Sequence, residues 1–194
     1  MKLLKTLFSI GAISVINICS LNALIPSIAK AQVPTGRYEI QGTQILFYPV
    51  TGGDPLLVYN GRGKATHIIN YNGEIYTAFQ GGSIYRSPDG QHLGGGGRTT
   101  KPYPGSATVN KMLVCQNALF TAFKGGYIYR SPDGLNLGGG GNTERVYKGT
   151  GEVDRMTCTN RDSVITAFTS GQVYESPDGR NLGGGGNTSR LTGN

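Results

Sequence analysis

From Arg37 onward the chain is built of apolar runs four to six residues long, separated by polar, glycine-rich breaks. The apolar residues do not keep to one side of a two-residue period. "MLVC" (112–115), "ALFTAF" (118–123) and "HIIN" (67–70) are apolar on both faces of an extended chain. Such runs predict strands covered on both sides, not half-exposed ones. They are rich in β-branched and aromatic residues and bounded by turn-forming ones. In the best-defined stretch the expected strands are 112–115, 118–123, 127–130 and 145–148. No ten-residue window beyond residue 31 has a helical period, so the class is all-β.

The pattern repeats. "IYRSPDGQHLGGGGRT" starts at Ile84, "IYRSPDGLNLGGGGNT" at Ile128 and "VYESPDGRNLGGGGNT" at Val173, 44 and 45 residues apart. The runs ending in Phe79, Phe123 and Phe168 recur in step, as do Tyr59, Tyr103 and Tyr147. A fixed period of this length marks stacked supersecondary units that share a core. The units are 37–61, 62–105, 106–149 and 150–194, the first a worn copy without the tetraglycine. Within each, Ser-Pro-Asp-Gly is a turn: Pro fixes φ, Asp tolerates the third position and Gly closes it. Four units with strands apolar on both faces predict a small β-propeller of about four four-stranded blades, with a β-trefoil as the alternative. The first unit lacks an innermost strand, because only "QVPTG" precedes Arg37. Either Val33 and its neighbours stand in for it, or closure is imperfect, or units from two chains combine.

The first 31 residues read differently. Lys2 and Lys5 precede an apolar stretch from Leu7 to Ile25, and Ala29-Lys30-Ala31 has the small-x-small form of a secretory cleavage site. The expected mature domain is 32–194, secreted or periplasmic, with no stable membrane insertion after cleavage. Losing three lysines lowers the net charge from +7 to +4. The remaining Lys and Arg are scattered singly, which speaks against nucleic acid. Export permits a disulfide between Cys115 and Cys158. The repeat alignment, however, offsets them by one residue and so turns them to opposite faces of their strands; free thiols are expected.

Catalytic chemistry finds little to work with. His67 and His92 are the two histidines; His92 replaces Asn136 and Asn181 of the other copies, and His67 lies in a strand. No His and carboxylate set has metal-ligand spacing. "GGGGNT" lacks the Gly-Lys-Ser/Thr ending of a phosphate loop, and Asp89, Asp133 and Asp178 are explained as turn formers. The expectation is a protein that is not an enzyme and has no cofactor or metal. Binding chemistry is better represented. Gly139 and Gly140 let a ligand approach backbone closely. Asn136, Asn142, Asn181 and Asn187 donate and accept on one side chain, and Tyr85, Tyr129 and Tyr174 offer an apolar face with a hydroxyl. Amide, hydroxyl and aromatic face together suit a sugar; the alternative is that these residues make a tight turn and pack between blades.

The order apolar strand, turn, "LFTAF", "GGYIYRSP", long loop, "RVYKG" resembles the blade of tachylectin-type β-propeller lectins. The resemblance covers 37–194 and implies a propeller that binds N-acetylated sugars at one site per blade. The expected function is therefore a secreted, multivalent, lectin-like carbohydrate-binding repeat protein whose partner is a glycan or cell-surface ligand. Weak single sites gain strongly when three are linked. The alternative is an extracellular structural or protein-interaction module, with a homo-oligomer allowed in either case.

Overall fold

The computed structural model describes residues 33–192; the expected signal peptide lies outside the described residues. Short turns fold the apolar runs into meanders. Asn72-Gly73 (φ +52° and +71°) and Gln116-Asn117 (φ +52° and +49°) make two-residue hairpins, whose left-handed backbone matches the twist of the flanking strands. Four antiparallel sheets result. The first holds β1 (Gly36–Gln41), β2 (Gln44–Pro49) and β3 (Leu56–Asn60). The second holds β4 (Ala65–Tyr71), β5 (Glu74–Phe79), β6 (Ile84–Ser87) and β7 (Thr100–Tyr103). The third holds β8 (Val109–Cys115), β9 (Ala118–Phe123), β10 (Tyr127–Ser131) and β11 (Glu144–Lys148). The fourth holds β12 (Val153–Cys158), β13 (Val164–Phe168), β14 (Val173–Ser176) and β15 (Ser189–Thr192). Strand order within each sheet follows chain order.

The sheets stack face to face, which is why the strand runs are apolar on both sides. All six residues of β5 and of β9 are buried. Within β9, Ala118, Phe120 and Ala122 pack forward on the fourth sheet, while Leu119 and Phe123 pack backward on the second. Three cores result. Ile45 meets Ala65, Ile75, Phe79 and Leu93. Tyr71, Tyr76, Ala78 and Ile84 meet Val109, Leu119, Phe123 and Leu137. Phe120, Ala122, Ile128 and Val146 meet Val153, Val164, Phe168 and Leu182. Each seam carries one aromatic pair at equivalent positions: Tyr59–Phe79 at 5.0 Å, Tyr103–Phe123 at 4.6 Å and Tyr147–Phe168 at 4.8 Å. Such pairs contribute about 0.5–1.5 kcal/mol each beyond their buried area. This is a β-propeller arrangement, not a trefoil barrel. Three cores join the four sheets in a row, and among the described residues no core joins the fourth sheet to the first.

The thiol expectation is corrected: Cys115 and Cys158 form a disulfide, with Cα atoms 5.5 Å apart. The one-residue offset does turn the two side chains to opposite faces. Opposite faces of neighbouring sheets, however, are the ones that meet. Cys115 points forward from the third sheet, and Cys158 points back at it from the fourth. The bridge thus ties adjacent blades together across their seam.

Candidate functional site

The expected sugar loops lie on the outer side of each sheet, between its third and fourth strands. In all three, the Ser of Ser-Pro-Asp-Gly donates to the Asp Oδ1 (2.9, 3.3 and 3.2 Å for Ser87, Ser131 and Ser176). That Oδ1 in turn accepts the backbone N–H two residues on. The loop then dips inward, and Leu93, Leu137 and Leu182 are fully buried against the preceding sheet. The first glycine of each run lies flat on the preceding blade's tyrosine: Gly94 on Tyr59, Gly138 on Tyr103 and Gly183 on Tyr147. The next three glycines have positive φ, +107°, +90° and +57° in the third sheet. A threonine closes the loop, Thr143 Oγ1 donating to the Asn136 carbonyl and Thr188 Oγ1 to that of Asn181. The run is therefore partly a packing element. The first unit lacks the run, and among the described residues no sheet precedes that unit.

The structure brings some expected site residues together and separates others. Tyr85, Tyr129 and Tyr174 are half-buried and edge-on to Phe79, Phe123 and Phe168, at 5.6, 5.9 and 6.0 Å. Gly139 lies beside the Tyr129 ring, while Gly140 faces open space. Asn136 and Asn181 tuck their amides under Gly141 and Gly186. Asn142 and Asn187 are exposed, and Asn142 Nδ2 donates to Asp133 Oδ2 at 3.1 Å. Beside Tyr85 a cavity of about 240 Å³ is lined by Tyr59, Phe79, Gln80, Ser83 and Gly94 among others.

A second site was legible in sequence only as a deficit. The second, third and fourth sheets each have an inner strand, and among the described residues the first has none. Beside β1, where that strand would lie, runs a groove made of two cavities of about 420 and 320 Å³ that share Tyr38, Ile68 and Ile69. Ile40, Thr66, His67 and Met112 line one end, and Val33, Asn70 and Ile75 the other. Val33 and its neighbours line the groove without filling it. The Tyr38 hydroxyl donates to the Gly90 carbonyl at 3.1 Å, and burial, with the Asp89 charge nearby, pushes its pKa up to about 12. His67 Nδ1 lies 3.1 Å from Thr66 Oγ1. Burial lowers its pKa below the ordinary 6.5, outweighing a hydrogen bond with the Asn110 backbone, so the imidazole is neutral at pH 7.

The two histidines are far from forming a catalytic pair. His92 Nδ1 is 3.4 Å from Asp89 Oδ2 in an exposed loop, and His67 has a hydroxyl neighbour but no carboxylate partner among its described hydrogen bonds. Cys115, Cys158 and Asp162 cluster within 4.8 Å, yet the sulfurs are bonded to each other and offer no thiolate to a metal.

No family model matches this chain, and no curated protein matches it. Solved structures do. The chain is similar to YCF48 from Cyanidioschyzon merolae, with a TM-score of 0.53 and 13% identity over 87% of this chain and 61% of that one. It is also similar to a structure of YCF48 bound to D1 peptide, with a TM-score of 0.47 and 13% identity over 74% and 52% of the two chains. The chain thus spans 61% and 52% of the lengths of these two relatives. The first likeness shows the fold, a β-propeller.

Proposed function

We propose that the chain is an exported, non-catalytic binding module whose partner is a polypeptide docked in the groove beside β1. The observation that carries this is the free strand edge running along an aliphatic floor. Main-chain groups on such an edge pair with an extended peptide of almost any sequence, and the floor selects its side chains. The tetraglycine loops are largely taken up by packing between blades, so they serve first as scaffold. Export is read from the N-terminal pattern; mass spectrometry of the secreted protein should find Gln32 at its start, and an intact chain in the membrane fraction would refute it.

The docking test uses a photo-crosslinking amino acid at His67 in the groove or at Asn142 on the rim, in otherwise native secreted protein. A protein adduct should form from His67, be competed by unlabelled protein, and be absent from Asn142. Adducts from Asn142 alone would sink the groove reading. A second reading, carbohydrate binding, is favoured by one observation: the 240 Å³ cavity beside Tyr85, with its tyrosine faces and polar rim. Glycan-array binding that disappears in Tyr85→Ala would establish it, and silence across the array would remove it.

A further inference from the structure

We infer that the groove takes one extended segment of another protein as the missing inner strand of the first sheet. The segment runs antiparallel to β1 and carries aliphatic or β-branched residues at every second position. This rests on the peptide-binding reading above and adds direction, register and side-chain chemistry to it.

The backbone fixes where the strand must pair. The Val50 N–H donates to the Thr35 carbonyl, so Thr35 faces β2. Alternation then turns Arg37, Glu39 and Gln41 toward β2 and leaves the N–H and C=O groups of Gly36, Tyr38 and Ile40 on the open side. Among the described residues β1 pairs with β2 alone. In the second sheet the positions matching Tyr38 and Ile40 are Tyr76 and Ala78, and these pair with Ile69 and His67 of β4. The third and fourth sheets repeat this with β8 and β12, always antiparallel. A strand entering the first sheet the same way continues an arrangement the molecule has built three times.

The side chains follow from the neighbours. The forward face of the inserted strand meets Ile68 and Asn70 of β4 and must be largely apolar. Among the described residues no sheet lies behind its backward face, which continues the solvent side of β1, where Glu39 is 40% exposed. Polar or basic residues fit there. The occupant is thus an amphipathic strand about as long as the seven-residue β4 and β8. If export removes residues 1–31, Gln32 and Val33 are all that precede Pro34, too few to fold back as that strand.

A fluorescently labelled peptide copying residues 64–72, whose forward face carries Ile69 and Tyr71, is the probe, titrated against the secreted protein by anisotropy. Saturable binding is expected. The amides at His67 and Ile69 face β5 in the parent sheet, paired with Ala78 and Tyr76, and would face β1 here. N-methylation at those two positions should weaken binding by about tenfold or more, because each loses a main-chain hydrogen bond. N-methylation at Ile68 and Asn70 should leave it nearly unchanged. Hydrogen exchange should slow at Gly36, Tyr38 and Ile40 on binding, and Ile40→Pro, which removes an edge N–H outside the β1–β2 ladder, should weaken it. Equal effects from both methylation patterns, no saturable binding, or a protein dimer that occupies the edge itself would each overturn the strand reading. A His67 crosslink to a protein partner would still stand after such a failure, which separates it from the failure of the docking reading.

Discussion

At the residue scale, two glycines of one run are constrained for different reasons, and substitution separates them. A Cβ on Gly138 would drive into the Tyr103 ring, which is itself held 4.6 Å from Phe123 at the seam between the second and third sheets. A Cβ on Gly140 meets nothing, but its φ of +90° is one L-residues rarely adopt. Gly138→Ala should therefore cost more, on the order of 2–3 kcal/mol by overpacking, and Gly140→Ala about 1 kcal/mol by backbone strain. Denaturant titration of both variants checks this; equal costs would mean the tyrosine seam is slack. The turn just before the run has its own pH signature. The Arg180 backbone N–H, with help from the Ser176 hydroxyl, holds the Asp178 carboxyl below its ordinary 3.8. A folded-state pKa below the unfolded one means the native state binds fewer protons, so this stabilisation is present above pH 3.8 and is lost as pH falls through the lower folded value. Asp178→Asn should flatten the acid limb of the stability curve there, and an unchanged limb would discard the assignment.

At the scale of strands and sheets, the seams decide stability, and the third seam is bonded covalently as well as packed. Cys115 and Cys158 close 43 residues of chain, a loop for which a native disulfide typically contributes about 2–4 kcal/mol. Reduced protein should unfold at lower denaturant by that amount, and the unreduced protein lacking residues 1–31, and with them Cys19, should take up no alkylating reagent once denatured. Uptake of two equivalents would mean that the bridge does not form in solution. The strands themselves were legible in sequence because their burial requirement is written in the residues. The run 118–123 matches β9 residue for residue, and 112–115 falls inside the longer β8. The disulfide was misjudged although the register argument about strand faces was sound. Whether opposite faces diverge or converge depends on how sheets stack, and one strand alone does not encode that. The groove was half legible: counting strands exposed the deficit beside "QVPTG", but only the packing of β4 behind it shows a cavity with an aliphatic floor. The packing share of the rim loops was not legible, because a glycine run looks free until the tyrosine beneath its first glycine is located in the neighbouring blade.

At the scale of the whole molecule, the four sheets form a row with two unlike ends. The outward face of the first sheet is polar along β1. Arg37 pairs with Glu39 at 3.4 Å and lies 4.7 Å over the Tyr48 ring, and Gln41 Nε2 donates to Glu39 at 2.9 Å. A terminal repeat needs such a polar outer face to remain soluble. The outward face of the fourth sheet is built like the interior ones. Ile165, Ala167, Val173 and Leu191 occupy the positions of Phe120, Ala122, Ile128 and Val146 in the third sheet. The counterparts in that sheet are buried, Val146 to 6% and Ile128 completely, whereas Leu191 is 48% exposed. If no further blade covers this end, a charge placed there should be tolerated, while the same charge one repeat earlier should not. Val146→Asp buries a carboxylate without a partner in the third seam and should cost several kcal/mol or prevent folding. Leu191→Asp should change stability by no more than about 0.5 kcal/mol, as ordinary surface substitutions do. The two variants differ by one repeat and share backbone geometry, so strand propensity cancels in the comparison. Matched denaturation curves at low protein concentration are the measurement. A large loss from Leu191→Asp would show that this face is covered in solution, and its dependence on protein concentration would then say whether the cover is a second molecule.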